Sequence, residues 1–397
     1  MNIKDIIDND WCSGCGLCAS VNSNIVSMKL NEKGYLRPKL VSNENINLDY
    51  CPGNTLKLNK SNIKYYTNWG YIKNISVGFS NDEEVRYKGS SGGVISQIAI
   101  SLLEKNSVDG IIHIGVDINN PLKNITKISR NREDVLSNAG SRYAPASPLS
   151  DILQIIDKYK NEAFAFIGKP CDVAAIKQYI QIHPELNKNI KYFISFMCAG
   201  TPSIEGSYEV LNKLNIKKDD LILFNYRGDG WPGKTLAVDK YNNSNSMEYN
   251  DSWGKVLGSY IQKRCKICPD GIGEFADIVC ADAWHGDKNG YPDFTEQDGR
   301  SLIISRTDNG DDLYKMLVNE NIICTEKFDI EMLGEIQPAQ RHRRQTLLVR
   351  LFAFHLLLKK TPKYEGLYLY KSLKTLTIKR QVIAFLGTIT RIIKRKL

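Results

Sequence analysis

Residues 12 to 18 read CSGCGLC, and a fourth cysteine, Cys51, stands directly before Pro52. Three thiols at three-residue steps contribute nothing that an ordinary apolar core needs, so this stretch constrains the chain more than any other. A cubane [4Fe-4S] cluster takes four thiolates, often three of them from one tight loop. Two-residue spacers let Cys12, Cys15 and Cys18 reach neighbouring irons while backbone N–H groups donate to the sulfides, and Gly14 and Gly16 ease that loop. The fourth ligand commonly precedes a proline; Cys51-Pro52 fits, with residues 19 to 50 as the intervening loop. A structural zinc site usually pairs two C-x2-C clips, and a triple run suits the cubane better.

The chain has 397 residues, too many for one ordinary core, and two or three domains are expected. The opening MNIKDIIDND carries acids early and no apolar h-region, so no signal peptide is expected. The longest apolar run, LFAFHLLL (Leu351 to Leu358), is too short to span a bilayer. A cytoplasmic protein is expected, and ten cysteines in a reducing compartment favour metal or redox chemistry over disulfides. The net charge of +9 is unevenly placed: residues 341 to 397 carry fifteen Lys/Arg and one acid, Glu365, leaving the first 340 residues at −5. Nucleic-acid binding by the body of the chain is not expected.

From residue 73 the pattern changes. ISVGF alternates like a strand, with Ile75, Val77 and Phe79 on one face; VISQIAISLLEK has the apolar spacing of a helix. DGIIHIGVDI, AFAFIGKPC and YFISFMC are strand candidates, and DVAAIKQYIQ and SIEGSYEVLNKL are helices. The alternation predicts an α/β core with a mostly parallel sheet. After Asp220 strands dominate (LILFNYRG, TLAVDKY, ADIVCAD, SLIISRT), giving α+β overall, and the tail from about Gln340 is helical.

Cys265 and Cys268 form one C-x2-C clip, which alone fits zinc, redox thiols or a cluster. Cys171 and Cys198 both fall at strand C-termini, the edge where ligands gather in such sheets, and with the clip they make four thiols. Cys280, inside ADIVCAD, and Cys324 are read as core thiols. GSSGGV (Gly89 to Val94) leads into a helix N-terminus. It serves either as a capped helix start or as a phosphate site, with Ser90 and Ser91 donating and Gly92 and Gly93 admitting close approach. In GSRY, Ser141 adds a polar group, Arg142 can pair with a diphosphate, and Tyr143 can stack on a ring. YRGDGWPGK suits a pocket wall for a flat, anionic ligand, or a hairpin connection; DAWHG (Asp282 to Gly286) is read as a turn. There is no H-E-x-x-H and no G-x-S-x-G.

Taken in order, CSGCGLC with CPG, GSSGGV, GSRYAP, GKPCDVAA, FMCAGTPS, YRGDGWPG and RCKIC…ADIVCADAW resemble the coenzyme F420 hydrogenase/dehydrogenase beta-subunit family over roughly residues 10 to 340. Its members are flavin- and iron–sulfur-dependent oxidoreductases, including a plant 7-hydroxymethyl chlorophyll a reductase. The resemblance implies a ferredoxin-like segment (1–60), an α/β flavin-binding domain (70–185), a mixed, β-rich C-terminal family domain (186–340) and, beyond it, the basic tail (341–397). It implies two [4Fe-4S] clusters, one on Cys12, Cys15, Cys18 and Cys51, the second on Cys171, Cys198, Cys265 and Cys268, and FAD at Gly89 to Gly93 with Ser141, Arg142 and Tyr143. The implied activity passes electrons from a ferredoxin-like donor through the clusters and flavin to a small-molecule substrate; a non-catalytic relay subunit of a larger complex is the alternative. Self-association is left open, and no catalytic acid or base is assigned. The chain departs from relatives in lacking a second ferredoxin motif, in Lys169 where GTPC is frequent, and in Ala281 before Asp282. Bacterial relatives with that lysine look like products of cell-surface polysaccharide gene clusters.

In the tail, Ile378, Val382, Phe385, Leu386, Ile389, Ile392 and Ile393 recur at helical spacing, with Lys379, Arg380, Arg391, Lys394 and Arg395 off the stripe. Such a helix either docks on its own domain or lies at a membrane interface or a partner's acidic surface.

Overall fold

The computed structural model describes residues 1–42, 46–286 and 292–394. Its centre is an eight-stranded sheet of β1 (Asn74–Ser80), β2 (Gly110–Asp117), β3 (Asn120–Ser129), β4 (Phe164–Gly168), β5 (Ile190–Phe196), β6 (Ile278–Asp282), β7 (Ser301–Ser305) and β8 (Ile323–Lys327). The spatial order is β8-β1-β7-β6-β5-β4-β2-β3. Only the middle four strands, β6, β5, β4 and β2, run parallel to their neighbours within that set. β7, β1 and β8 on one side and β3 on the other add antiparallel pairs. The mostly parallel sheet expected from the alternation is thus corrected to a mixed one. Only a turn joins β2 to β3, and among the described residues no helix separates β6 from β7; a parallel return needs a crossover that neither connection provides.

Six longer helices accompany the sheet: α1 (Val94–Glu104), α2 (Pro170–Ile182), α3 (Ile204–Lys213), α4 (Asp308–Asn319), α5 (Pro338–Leu356) and α6 (Ile378–Ile393). Alternate strand residues feed two cores. Ile112, Phe164, Phe166, Phe193, Val279, Leu302 and Ile304 pack with α2, α5 and the cysteine-bearing N-terminal segment. Ile111, Ala165, Ile194, Ile278, Cys280 and Ile303 pack with α1 and α4. The sheet is buried on both faces, as the period-two split of apolar residues requires. It draws strands from both sides of residue 185, so a boundary there does not coincide with a break in the sheet.

A separate antiparallel sheet, Leu221–Asn225, Thr235–Asp239 and Ser244–Met247, packs with α3 in its own cluster. The N-terminal segment is tied to the body: the Leu149 N–H donates to Cys15 O (3.0 Å) and Ser147 Oγ to Gly14 O (2.7 Å). Trp11 is fully buried, edge-on to Phe354 of α5 at 5.2 Å, and its indole N–H bonds Lys360 O. Cys324 corrects an expectation. It lies on the edge strand β8, where alternate side chains face outward, and it is exposed. Arg395 lies outside the described residues.

Candidate functional site

Gly14 and Gly16 take φ of +83° and +91°, which turn the CSGCGLC loop back on itself. A Cβ at Gly16 would stand 2.9 Å from Ser150 N, so the loop could not pack here with any other residue. The Gly14 N–H donates to Cys12 Sγ at 3.3 Å. Cys12, Cys15 and Cys18 are buried and Cys51 half-buried. Burial raises Cys15 above the thiol range, and the neighbouring Cys51 and Cys12 add to the shift; Cys18 is raised by burial and then by Cys12, Cys15 and Cys51. Burial likewise pushes Cys51 up to about 11, with Cys12 adding. The four thiols therefore share one electrostatic field. A set of thiolates is stable there only beside concentrated positive charge.

The other four thiols, far apart in sequence, also come together. Cys171 opens α2 just after β4, Cys198 follows β5, and Cys265 and Cys268 lie in and after a short helical turn (Lys263–Lys266). Burial raises Cys171 well above the ordinary value, with Asp172, Cys198 and Cys268 among the groups reinforcing it. Cys198 is pushed up to about 12 by burial, with Cys265 and Cys268 reinforcing. The Thr201 N–H (3.4 Å) and Gln262 Nε2 (3.5 Å) donate to Cys265 Sγ. Cys280, by contrast, is raised by burial alone, as a core thiol should be. Among the described residues no three His, Cys, Asp or Glu side chains are set to hold a single metal ion. In a cubane each thiolate binds a different iron, whereas a zinc site brings its four ligands to one ion.

Arg264 stands between the two sets. It is 2% exposed; its Nη2 donates to the oxygen of Pro52, next to Cys51 (3.0 Å), and its Nη1 to that of Ile267, next to Cys268 (3.4 Å). Burial pulls against its charge, but Tyr364, Cys268 and Cys171 outweigh this and hold it protonated. Its Nε has no partner among the described residues.

A cavity of ≈ 360 Å³ adjoins the second thiol set through Cys198, at the C-terminal ends of β4, β5 and β6. Ligands collect at that edge in sheets of this kind. Gly89, Ser90, Ser91 and Gly93 line it, with Ser141, Arg142 and Tyr143. Gly92 does not: its Cβ would point into the sheet, 2.7 Å from Gly78 O and 2.8 Å from Ser301 N, so close backbone packing explains that glycine. Gly93 (φ +72°) starts α1 with no capping side chain, and the Ser90 hydroxyl is buried without a partner among the described residues. An oxyanion would satisfy both. Arg142 lines the cavity and also braces the loop, donating to Asn124 Oδ1 (2.8 Å), Phe224 O (3.1 Å) and Pro121 O (2.6 Å).

Lys169 lines the cavity beside Arg142 and Arg227 and is ion-paired with Asp172 at 2.7 Å. Burial alone would lower its pKa, but Asp172 and then Cys171 outweigh this and keep it protonated. The opposite wall is aromatic. Trp231 stacks on Trp284 at 4.9 Å and 9°, and Arg227 lies over Tyr249 (4.7 Å) and Trp284 (5.1 Å). Asp282 accepts two bonds from Arg227 (2.9 and 2.7 Å) and one from the Trp231 indole (2.8 Å), so DAWHG organises the wall rather than merely turning the chain. Lys234 points away and pairs with Glu248. The unpartnered hydroxyl, the uncapped helix and the flat wall fit a planar cofactor with a phosphate. Sequence reasoning missed Lys169 and Arg264; both flank a cysteine closely, and that adjacency was the available signal.

Comparison with known proteins agrees with this architecture. Residues 75–154 match the model for the N-terminal part of the coenzyme F420 hydrogenase/dehydrogenase beta subunit, and residues 161–331 match the model for its C-terminal part. The chain belongs to this family. The beta subunit of coenzyme F420 hydrogenase from Methanococcus voltae is 26% identical over 263 residues, 66% of this chain and 86% of the relative. The coenzyme F420-dependent sulfite reductase of Methanocaldococcus jannaschii is 26% identical over 332 residues, covering 78% of this chain but 46% of the reductase. A chain of the F420-reducing [NiFe] hydrogenase complex from Methanosarcina barkeri shares the fold with a TM-score of 0.57 at 18% identity, over 76% of this chain and 98% of that one.

Proposed function

We propose that this chain is an iron–sulfur flavoprotein acting as the electron-relay subunit of a larger redox assembly. Cys12, Cys15, Cys18 and Cys51 would hold one [4Fe-4S] cluster, Cys171, Cys198, Cys265 and Cys268 a second, and the cavity FAD. The observation carrying this reading is proximity: Arg264 bonds the carbonyls of Pro52, next to Cys51, and Ile267, next to Cys268, and Cys198 lines the cavity. The groups would supply one-electron steps at the clusters and their conversion to two-electron transfer at the flavin. The chain's part is to bury the thiolates, set positive charge between them with Arg264, and hold Lys169 protonated beside negative charge in the cavity. Relatives named as hydrogenase and formate dehydrogenase beta subunits support a subunit role over a reductase working alone.

Anaerobically purified protein is expected to contain about eight irons and one flavin per chain. It should reduce a one-electron dye from a ferredoxin-like donor yet turn over no small organic substrate until a partner chain is supplied. Absence of flavin and iron would end this reading, and turnover by the isolated chain would restore the autonomous reductase. The Ser90 hydroxyl has no partner among the described residues, so Ser90→Ala should leave the melting temperature unchanged while weakening flavin binding by about tenfold, the worth of one hydrogen bond to a charged group. Equal flavin affinity would place the phosphate elsewhere.

A further inference from the structure

The tail helix α6 is docked by the side that its sequence pattern does not favour. Gln381, Ala384, Phe385, Thr388 and Ile392 turn inward: Thr388 is fully buried, Phe385 stacks on Phe352 of α5 at 5.6 Å, and the Gln381 amide bonds Leu376 O (2.8 Å). The aliphatic stripe is left outside. Ile378 is 79% exposed, Val382 49%, Leu386 55% and Ile393 68%. With Ile389 these fall within about a quarter of the helix circumference. Phe352 and, one turn along α5, Leu356 are also exposed and extend the apolar surface past Phe385. An apolar surface of this kind on a helix already held in place by its other face needs a partner.

We infer that α6 is the docking face for an anionic membrane surface, lying in the interface with its stripe among the acyl chains. Two observations choose this occupant. Lys379 borders the stripe, and Lys394, Arg380 and Arg391 follow round the helix away from it; Lys379, Arg380 and Lys394 have no ion-pair partner among the described residues, and no acidic residue follows Glu365 in the chain. The exposed stripe on α6 is Ile, Val and Leu, with Phe352 of α5 beside it, an apolar set of the kind an interfacial helix turns toward lipid. Bulky aliphatics bordered by cations are the pattern of a helix lying in a lipid interface. No helix among the described residues is long and apolar enough to cross a membrane, so the contact is peripheral.

The test is co-sedimentation of the full chain with phosphatidylcholine vesicles and with vesicles containing phosphatidylglycerol. The protein is expected to pellet with the anionic vesicles at low salt, to be released by high salt, and to ignore the neutral ones. Replacing two of the unpaired cations, Lys379→Gln with Arg380→Gln, should lower partitioning by more than about tenfold, at about fivefold per charge. Val382→Asp with Leu386→Asp should abolish it with only a small drop in melting temperature, because both side chains are about half exposed and the new charges sit one turn apart. Failure of the unmodified chain to pellet with anionic vesicles at low salt overturns the inference, as does pelleting that survives the two aspartates. A dimer in light scattering that those aspartates dissolve would assign the face to a second copy and overturn it as well.

Discussion

Cys15→Ser is expected to remove about half of the iron from anaerobically purified protein, Cys198→Ser the other half, and the pair together nearly all of it. Cys12, Cys15, Cys18 and Cys51 act on one another, as do Cys171, Cys198, Cys265 and Cys268. The loss is large because three remaining thiols cannot hold the full complement of ligands, and the raised thiol pKa values make each buried thiolate dependent on the iron beside it. Cys280→Ser and Cys324→Ser serve as controls and should leave iron unchanged, the first thiol being buried without a thiol neighbour and the second exposed on an edge strand. Iron and sulfide quantification decides the matter, and full iron in either single variant rejects that cluster's assignment.

Arg344→Met should cost about 3–5 kcal/mol of stability, read as a lower midpoint in chemical denaturation. Arg344 (2% exposed side chain) forms an ion pair with the fully buried Glu274 and donates to Pro269 O (3.0 Å), Tyr65 Oη (2.9 Å) and Leu367 O (2.6 Å). Removing the guanidinium strands a carboxylate in the core, close to the loop that carries Cys268. Burial already raises the Glu274 pKa above its ordinary 4.5, with Arg344 opposing, and the variant lacks that opposition. Folded protein then binds the proton more tightly than unfolded protein, so the electrostatic part of the deficit is absent well below pH 4.5 and grows as pH rises above it. Adding Glu274→Gln should recover part of the loss at neutral pH. A deficit that does not vary with pH would mean that the lost hydrogen bonds, and not the stranded charge, set the cost.

Much of the site could be read from residues alone because its signals are local. Thiol spacing, Cys51-Pro52 and the glycine-rich start of α1 each depend on a few neighbours in sequence. What escaped depended on direction or on distant partners. Arg142 announces a cation, but only the fold shows its guanidinium turned toward Asn124 and two carbonyls. Gly92 announces close approach without saying to what, and it turns out to be the sheet backbone. The α6 pattern marks an apolar stripe, and the ordinary rule puts such a stripe inward. Here Ala384 and Thr388 let the helix approach α5 along a small-residue side instead. The mixed sheet escaped for a related reason: periodicity identifies strands but not which of them become neighbours.

The place of β1 in the sheet bears on how the protein is made. β1 ends at Ser80, but both its neighbours, β7 and β8, begin only at Ser301 and Ile323. At a synthesis rate of about 5–20 residues per second the strand waits roughly 10–40 s for the first of them. Within that wait, between Cys198 and Cys265, Cys171 and Cys198 are on the nascent chain without the clip, and the CSGCGLC loop still lacks the Gln262 amide that bonds Ser13 O and the Arg264 guanidinium that bonds Pro52 O. The second thiol set is therefore complete only once residue 268 has been made, and fragments that stop short of β7, which leave β1 without either neighbour, should be insoluble.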